Sequence, residues 1–318
     1  MTADGIHVVL GASGGTGNAV AGALADRGLA VRGVNRAGDA DLPEGVERVA
    51  ADVTSAEQLR RAVDGAEVVY HCAQPEYTRW AEDFPPMNGA IVRATAEVGA
   101  KLVFADNLYM YGAVDGPMTE DTPVRPTSKK GQVRAALARD LLEAHRTGVL
   151  RVAIGRASDY FGPRAPDSAI GERVFGAAVL GKKVPWLGSL DRPHTVSYSE
   201  DIGRAIAILG ERGEADGRVW HLPAGEPVTG RAFVELISKA LGRPLRPTVT
   251  GAGMVKLAGL FVPMIREIDD VMDQWTRPFV ADDSRFQRAF GPFPVTPIDE
   301  AVRRTVAWYR ERAAGPPS

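Results

Sequence analysis

The chain alternates short β-branched and apolar runs with stretches whose apolar positions recur every three or four residues. The runs fall at 6–10, 30–35, 46–50, 67–72, 101–105, 151–155 and 218–222. Strands of this length separated by helical periods predict a parallel sheet covered on both faces, an α/β doubly wound architecture. The Thr54-Ser-Ala-Glu57 stretch has capping-box spacing and predicts a helix start, and Gly28 stands where another helix should stop. After Gly162-Pro163 the alternation breaks. Helical periods near 170–180, 199–210, 229–241 and 297–313 predict a smaller, mostly helical C-terminal lobe. The expected division is a first domain over 1–165, completed by 194–225, with 166–193 and 226–318 forming the lobe. The tail AAGPPS is expected to fray.

Composition narrows the field. The 38 basic and 40 acidic residues nearly cancel, so no positive field is available to hold nucleic acid or an anionic membrane. Cys72 is the single cysteine, which excludes an internal disulfide. The N-terminal apolar run is too short for a signal core, and the run at 253–265 is broken by Lys256 and falls short of the roughly 20 residues that span a bilayer. A cytoplasmic protein with neither nucleic-acid nor membrane partner is expected. The five histidines show no ligand spacing. His71 and Cys72, adjacent on a strand, should face opposite ways, so no metal is expected.

The first strand runs into GASGGTG, which sets Gly11, Gly14 and Gly17 around Ser13, Gly15 and Thr16. Glycines there permit a tight turn and close approach of a pyrophosphate to a helix N-terminus, so the turn points to a dinucleotide. GASGG also fits the nucleophile elbow GxSxG, with Ser13 as nucleophile and His221 as base. That reading leaves Gly17 and the second strand's end unexplained. There Asn35 replaces the acid that would bind an NAD ribose, and Arg36 follows as a fork suited to a 2'-phosphate. NADP(H) is favoured, with NAD(H) left open.

The stretch PTSKKGQVRAALARDLLEAH reads as an amphipathic helix with Lys129, Lys130 and Arg134 in its first turns, where the dipole is already positive. Lys130, Arg134, Leu137 and Leu141 share one stripe, and Lys129 lies off it. Two cations on an apolar face need partners bearing negative charge or lone pairs, and a dinucleotide would supply them. Burial, the dipole and the neighbouring guanidinium would all push the lysine toward acid/base use near neutral pH.

With these motifs in view, the chain resembles the extended short-chain dehydrogenase/reductases of the epimerase and dehydratase branch. GASGGTG, AADVT, YHCAQ, MYG, GRASDYFGP and SYSEDIGRAI carry the likeness in order. The resemblance implies a Rossmann domain, a C-terminal substrate lobe and frequent homodimers. It puts Asp52 and Val53 at the adenine, Cys72, Ala73 and Gln74 beside the nicotinamide half, and Ser158 near the cofactor. The family's serine position holds Asn107, and its YxxxK pair becomes Lys130 and Arg134. KxxxR here is also similar to the isoflavone reductase group, whose acid/base residue is a lysine. Lys130 is therefore the expected acid/base group, with Asn107 orienting the substrate oxygen, Tyr109 as a nearby hydroxyl, and Arg134 on the cofactor ribose.

The aromatic, proline-rich stretch 74–88 reads as a loop that covers a site, with Tyr77 and Trp80 as substrate contacts. Asp159, Tyr160 and His194 are further substrate candidates. The expected function is an NADP(H)-dependent oxidoreductase acting on a small carbonyl or conjugated substrate. The alternatives are an epimerase or dehydratase that retains its cofactor, and a non-catalytic NADP(H) sensor.

Overall fold

The computed structural model describes residues 5–315, so the end of the expected frayed tail, 316–318, lies outside the described residues. Six strands, β1 (Ile6–Leu10), β2 (Val31–Asn35), β3 (Glu47–Ala50), β4 (Ala66–His71), β5 (Lys101–Asp106) and β6 (Arg151–Arg156), join an edge strand, Arg218–His221, in one sheet. The order is edge strand, β6, β5, β4, β1, β2, β3, and every pairing is parallel. Each expected strand is present to within one residue at either end. The fold is a doubly wound, Rossmann-type α/β fold with a helical C-terminal region.

Strand β1 shows why both faces are covered. Val8 and Leu10 enter one core with Ile91, Leu137 and Leu141, while Val9 enters the opposite core with Val20 and Ile206. Helix α1 (Gly15–Ala25) and the Ser199–Glu211 helix cover one face; α2 (Ala56–Ala62), α3 (Trp80–Glu97) and α4 (Lys129–Arg146) cover the other.

Two local expectations are corrected. The cap of α2 is Ser55, whose side chain accepts from Gln58 N; Thr54 instead bonds the Asp52 carboxylate through its hydroxyl, at 2.7 Å, and its amide. Stretch 74–88 is not a covering loop: Tyr77–Arg79 forms a short helical turn, and α3 begins at Trp80 and runs through Pro85 and Pro86. Trp80, Phe84, Met87 and Ile91 are buried in steps of four, three and four. That stripe outweighs the prolines, which sit on the exposed face where solvent can serve the carbonyls of Ala81 and Glu82.

The C-terminal region has its own aromatic core, in which Phe161, Phe175, Phe233, Trp186, Trp275 and Tyr309 are buried. A parallel pair, Val184–Leu187 with Pro247–Thr250, flanks it. The apolar stretch 253–265 lies mostly in the Ala252–Gly259 helix, the turn after it and the start of the Pro263–Asp269 helix.

Candidate active site

Strand order reverses between β1 and β4, which opens a crevice at the strands' carboxyl ends where ligands of such sheets bind. The glycine turn lies there. Gly11 takes φ +81°, and a Cβ on it would stand 2.7 Å from Ala73 N; one on Gly17 would stand 2.3 Å from Gly11 O. Both positions exclude a side chain. Helix α1 starts from Gly14 with no side-chain cap and no acid in its first turn, and Ser13 and Gly14 are exposed. An uncapped helix start beside a cradle of this closeness suits a pyrophosphate.

The other cofactor candidates surround this turn unequally. Asn35 ends β2 and donates to Asp39 Oδ1 at 3.2 Å; Arg36 is exposed. Asp52 has its pKa lowered, first by the Thr54 hydroxyl and amide and then by Arg36. Val53 is half-buried beside it. Cys72, Ala73 and Gln74 follow β4 directly, with Cys72 N donating to Leu10 O at 3.0 Å. Burial pushes the Cys72 thiol up to about 12, so it is not a nucleophile. The Ser158 hydroxyl turns away, donating to Thr195 O at 2.6 Å. Arg164, at φ 58°, pairs with Asp41 near the start of α1, a cation that the glycine pattern gave no means to find.

Helix α4 keeps Lys130 and Arg134 buried on the Leu137 and Leu141 stripe, as the periodicity requires. Their partners, however, come from the chain itself, which removes the need for an external anion. Lys130 Nζ donates to Tyr77 O at 2.7 Å and to Glu267 Oε2 at 2.5 Å, and lies 3.9 Å from the Tyr77 ring centre. The Asp270 carboxylate accepts from the amides of Lys129 and Lys130, both at 3.1 Å, and so supplies the anion that the helix start lacked. Arg134 packs between Trp80, 4.4 Å from its ring centre, and Phe84, and reaches Ala105 O and Asp106 Oδ1 at 3.4 Å, while its Nε finds no partner. Burial lowers its pKa, with Asp106 opposing. Trp80 and Tyr77 thus wall in the two cations.

Behind this wall Asp106 also accepts from Arg156 Nε at 3.1 Å. Arg156 donates to the Tyr111 oxygen at 2.8 Å, which lies 2.7 Å from His221 Nε2. His221 Nδ1 lies 3.1 Å from Asp282 O, and burial pushes this histidine down to about 4. The elbow reading fails here. Ser13 follows β1 while His221 ends the edge strand, four interstrand spacings away, on the order of 19 Å.

The substrate candidates gather on the lobe side. His194 Nε2 meets Asp159 Oδ2 at 2.9 Å, and its ring stacks on Trp275 at 4.7 Å. Tyr109 touches Tyr77 and Gln274 through its hydroxyl; burial and Asp159 raise its pKa, so it stays protonated. Tyr160 is pushed up to about 12 by burial. Asn107 Oδ1 accepts from Tyr109 N at 3.1 Å, shaping the turn and leaving its amide group as a donor. Glu267, Asp270, Asp106 and Gln274 were missed. The one available signal was the acidic run REIDD, 266–270, set against the cationic start of α4.

The model of the NAD dependent epimerase/dehydratase family matches residues 7–222. The chain belongs to that family. Among curated relatives, a dTDP-glucose 4,6-dehydratase of Streptomyces griseus is 26% identical over 69% of this chain and 61% of its own length. A sterol-4-alpha-carboxylate 3-dehydrogenase, decarboxylating, of Mus musculus is 25% identical over 94% of this chain and 89% of its own. The chain spans about three fifths of the length of the first curated relatives it matches, 61% and 58%. Among solved structures, a UDP-glucose 4-epimerase of Thermotoga maritima superposes with a TM-score of 0.81 at 19% identity, covering 97% of this chain and 99% of that one. Among the described residues no helix is long and apolar enough to cross a membrane.

Proposed function

We propose that this family member is a nicotinamide-dinucleotide-dependent oxidoreductase that acts at a carbonyl or the corresponding alcohol, with Lys130 exchanging the proton at the substrate oxygen. The observation that carries the reading is the buried Lys130 ammonium on the first turn of α4, hydrogen-bonded to Glu267 at 2.5 Å. A bound dinucleotide would supply or accept the hydride. Ser13, Gly14, Gly15 and Thr16 would hold its pyrophosphate at the start of α1. Asp52 and Val53 would line the adenine, Asn35 and Arg36 the adenosine ribose, and Cys72, Ala73 and Gln74 the nicotinamide half. The exposed Arg36 favours NADP(H) over NAD(H).

Lys130 gives a proton to the carbonyl oxygen in the reducing direction, or takes one from the alcohol in the oxidising direction. Glu267, whose side chain is 26% exposed, connects the ammonium to solvent and restores its proton. The Asn107 amide and the Tyr109 hydroxyl are donors that orient the same oxygen. Arg134 is a positioning residue that fixes Asp106 and the end of β5. Asp159 with His194, and Tyr160, shape the substrate side. The relatives' names span sugar nucleotides and sterols, so they leave the substrate open.

Lys130→Met tests the assignment. NADPH-coupled turnover of a carbonyl panel should fall about 10²- to 10⁴-fold, the usual worth of a positioned acid/base group, while NADPH affinity stays within threefold. Full activity in that variant overturns it. A retained-cofactor epimerase or dehydratase, the reading the sugar-nucleotide relatives favour, requires instead that dinucleotide co-purify and that NADPH not be consumed.

A further inference from the structure

The C-terminal region holds a cavity of about 340 Å³, lined by Ile170, Trp186, Val255, Ala258, Ile268 and Trp275 among other apolar residues. Of its lining, only Arg173 is charged, and Thr250 adds one hydroxyl. The volume lies at the small end of the roughly 300–1,000 Å³ that small-molecule sites occupy. One ring contact and one chain neighbour tie it to the reaction centre. Trp275 stacks on His194, which is bonded to Asp159, and Ile268 follows Glu267, the partner of Lys130.

The cavity's outer edge is unusual for a surface in water. The Ala252–Gly259 helix and the turn after it expose Met254 (64%), Leu257 (63%), Leu260 (66%) and Phe261 (81%), and Met254 also lines the cavity. An apolar surface continuous with an apolar hollow is a route by which a water-poor ligand enters. A nucleotide diphosphate needs several cations or amide donors, and one guanidinium at the edge does not supply them.

Resting on the oxidoreductase reading above, we propose that this cavity receives the apolar body of the substrate and that this substrate is a largely hydrocarbon carbonyl compound or alcohol, ring-bearing or branched, with at most one anionic group for Arg173. It enters beneath the exposed apolar lip. The hydrophobic surface it buries provides the binding energy that a sugar nucleotide would draw from its phosphates.

The probe is 2-acetonaphthone, an uncharged aryl ketone, titrated while the protein's tryptophan emission, to which Trp186 and Trp275 contribute two of five indoles, is followed; NADPH binding is measured in the same samples. Saturable quenching is expected in the wild type. Ala258→Phe, which fills the cavity, should weaken the ketone at least tenfold. Met254→Gln, at an exposed position that cannot upset the core, should weaken it about threefold. NADPH affinity should stay unchanged in both. Absence of saturable quenching, equal affinity in Ala258→Phe, or displacement of the ketone by millimolar UDP overturns the proposal. If the ketone binds as expected but NADPH does not, the ligand class stands and the oxidoreductase reading alone falls.

Discussion

The two ends of the crevice are built on different plans. At the glycine turn everything lies within seven consecutive residues, Gly11 to Gly17, and the backbone itself makes the cradle, so the ligand's side is open. At Lys130 and Arg134 the charges are closed over by other segments, Glu267 and Asp270 from far along the chain on one side and Asp106 at the end of β5 on the other. The first region offers shape and free amide groups. The second works by burying charge, and buried charge is stable only while each partner is present. Removing a partner should therefore cost far more at the second end than at the first.

Asp106→Asn should show this most strongly, because one carboxylate serves both Arg134 and Arg156. Two buried guanidinium groups lose their anion, and unfolding in urea should reveal a loss of about 3–5 kcal/mol. The buried histidines extend the same contrast to pH. Burial holds His71 down to about 3 and His221 down to about 4, from 6.5. Below pH 6.5 the unfolded chain takes up two protons that the folded one refuses, so stability is full above that value and declines as pH falls toward 4. The slope from urea titrations should be about 2–3 kcal/mol per pH unit, close to 1.4 for each proton. A flat profile there would show that these rings open to water.

Glu267→Gln keeps the shape around Lys130 but removes the charge. With the carboxylate partly exposed, the expected stability loss is about 1–2 kcal/mol, and the pH profile of turnover should shift while cofactor affinity does not. Arg36→Ser sharpens the comparison from the open end. It should weaken NADPH about tenfold, leave NADH within threefold, and leave the melting temperature nearly unchanged, because a solvated arginine holds nothing together.

How much could be read in advance follows from the same division. Strands β1 to β6 are local patterns of apolar residues, and the sheet they form was legible to a residue. So was the glycine turn, since a strand, three glycines and a helix in sequence already specify the cradle. The inward stripe of Lys130, Arg134, Leu137 and Leu141 was legible from period alone. Their partners were not, because Glu267 and Asp270 lie about 140 positions away, and nothing local distinguishes them from solvated acids. The covering-loop reading of 74–88 fails for a related reason: proline-rich composition marks a loop locally, while the Trp80, Phe84, Met87 and Ile91 stripe decides the helix.

The Asp270 contact at the head of α4 bears on how the molecule comes apart. Helix α4, which packs on the sheet, is completed by a carboxylate from the C-terminal region, so neither part can reach its full strength before the other has docked. The two should melt together in a single cooperative step, and a fragment ending at residue 225, which retains the Ser199–Glu211 helix and the edge strand Arg218–His221, should lose order at the start of the very helix that carries the proposed chemistry.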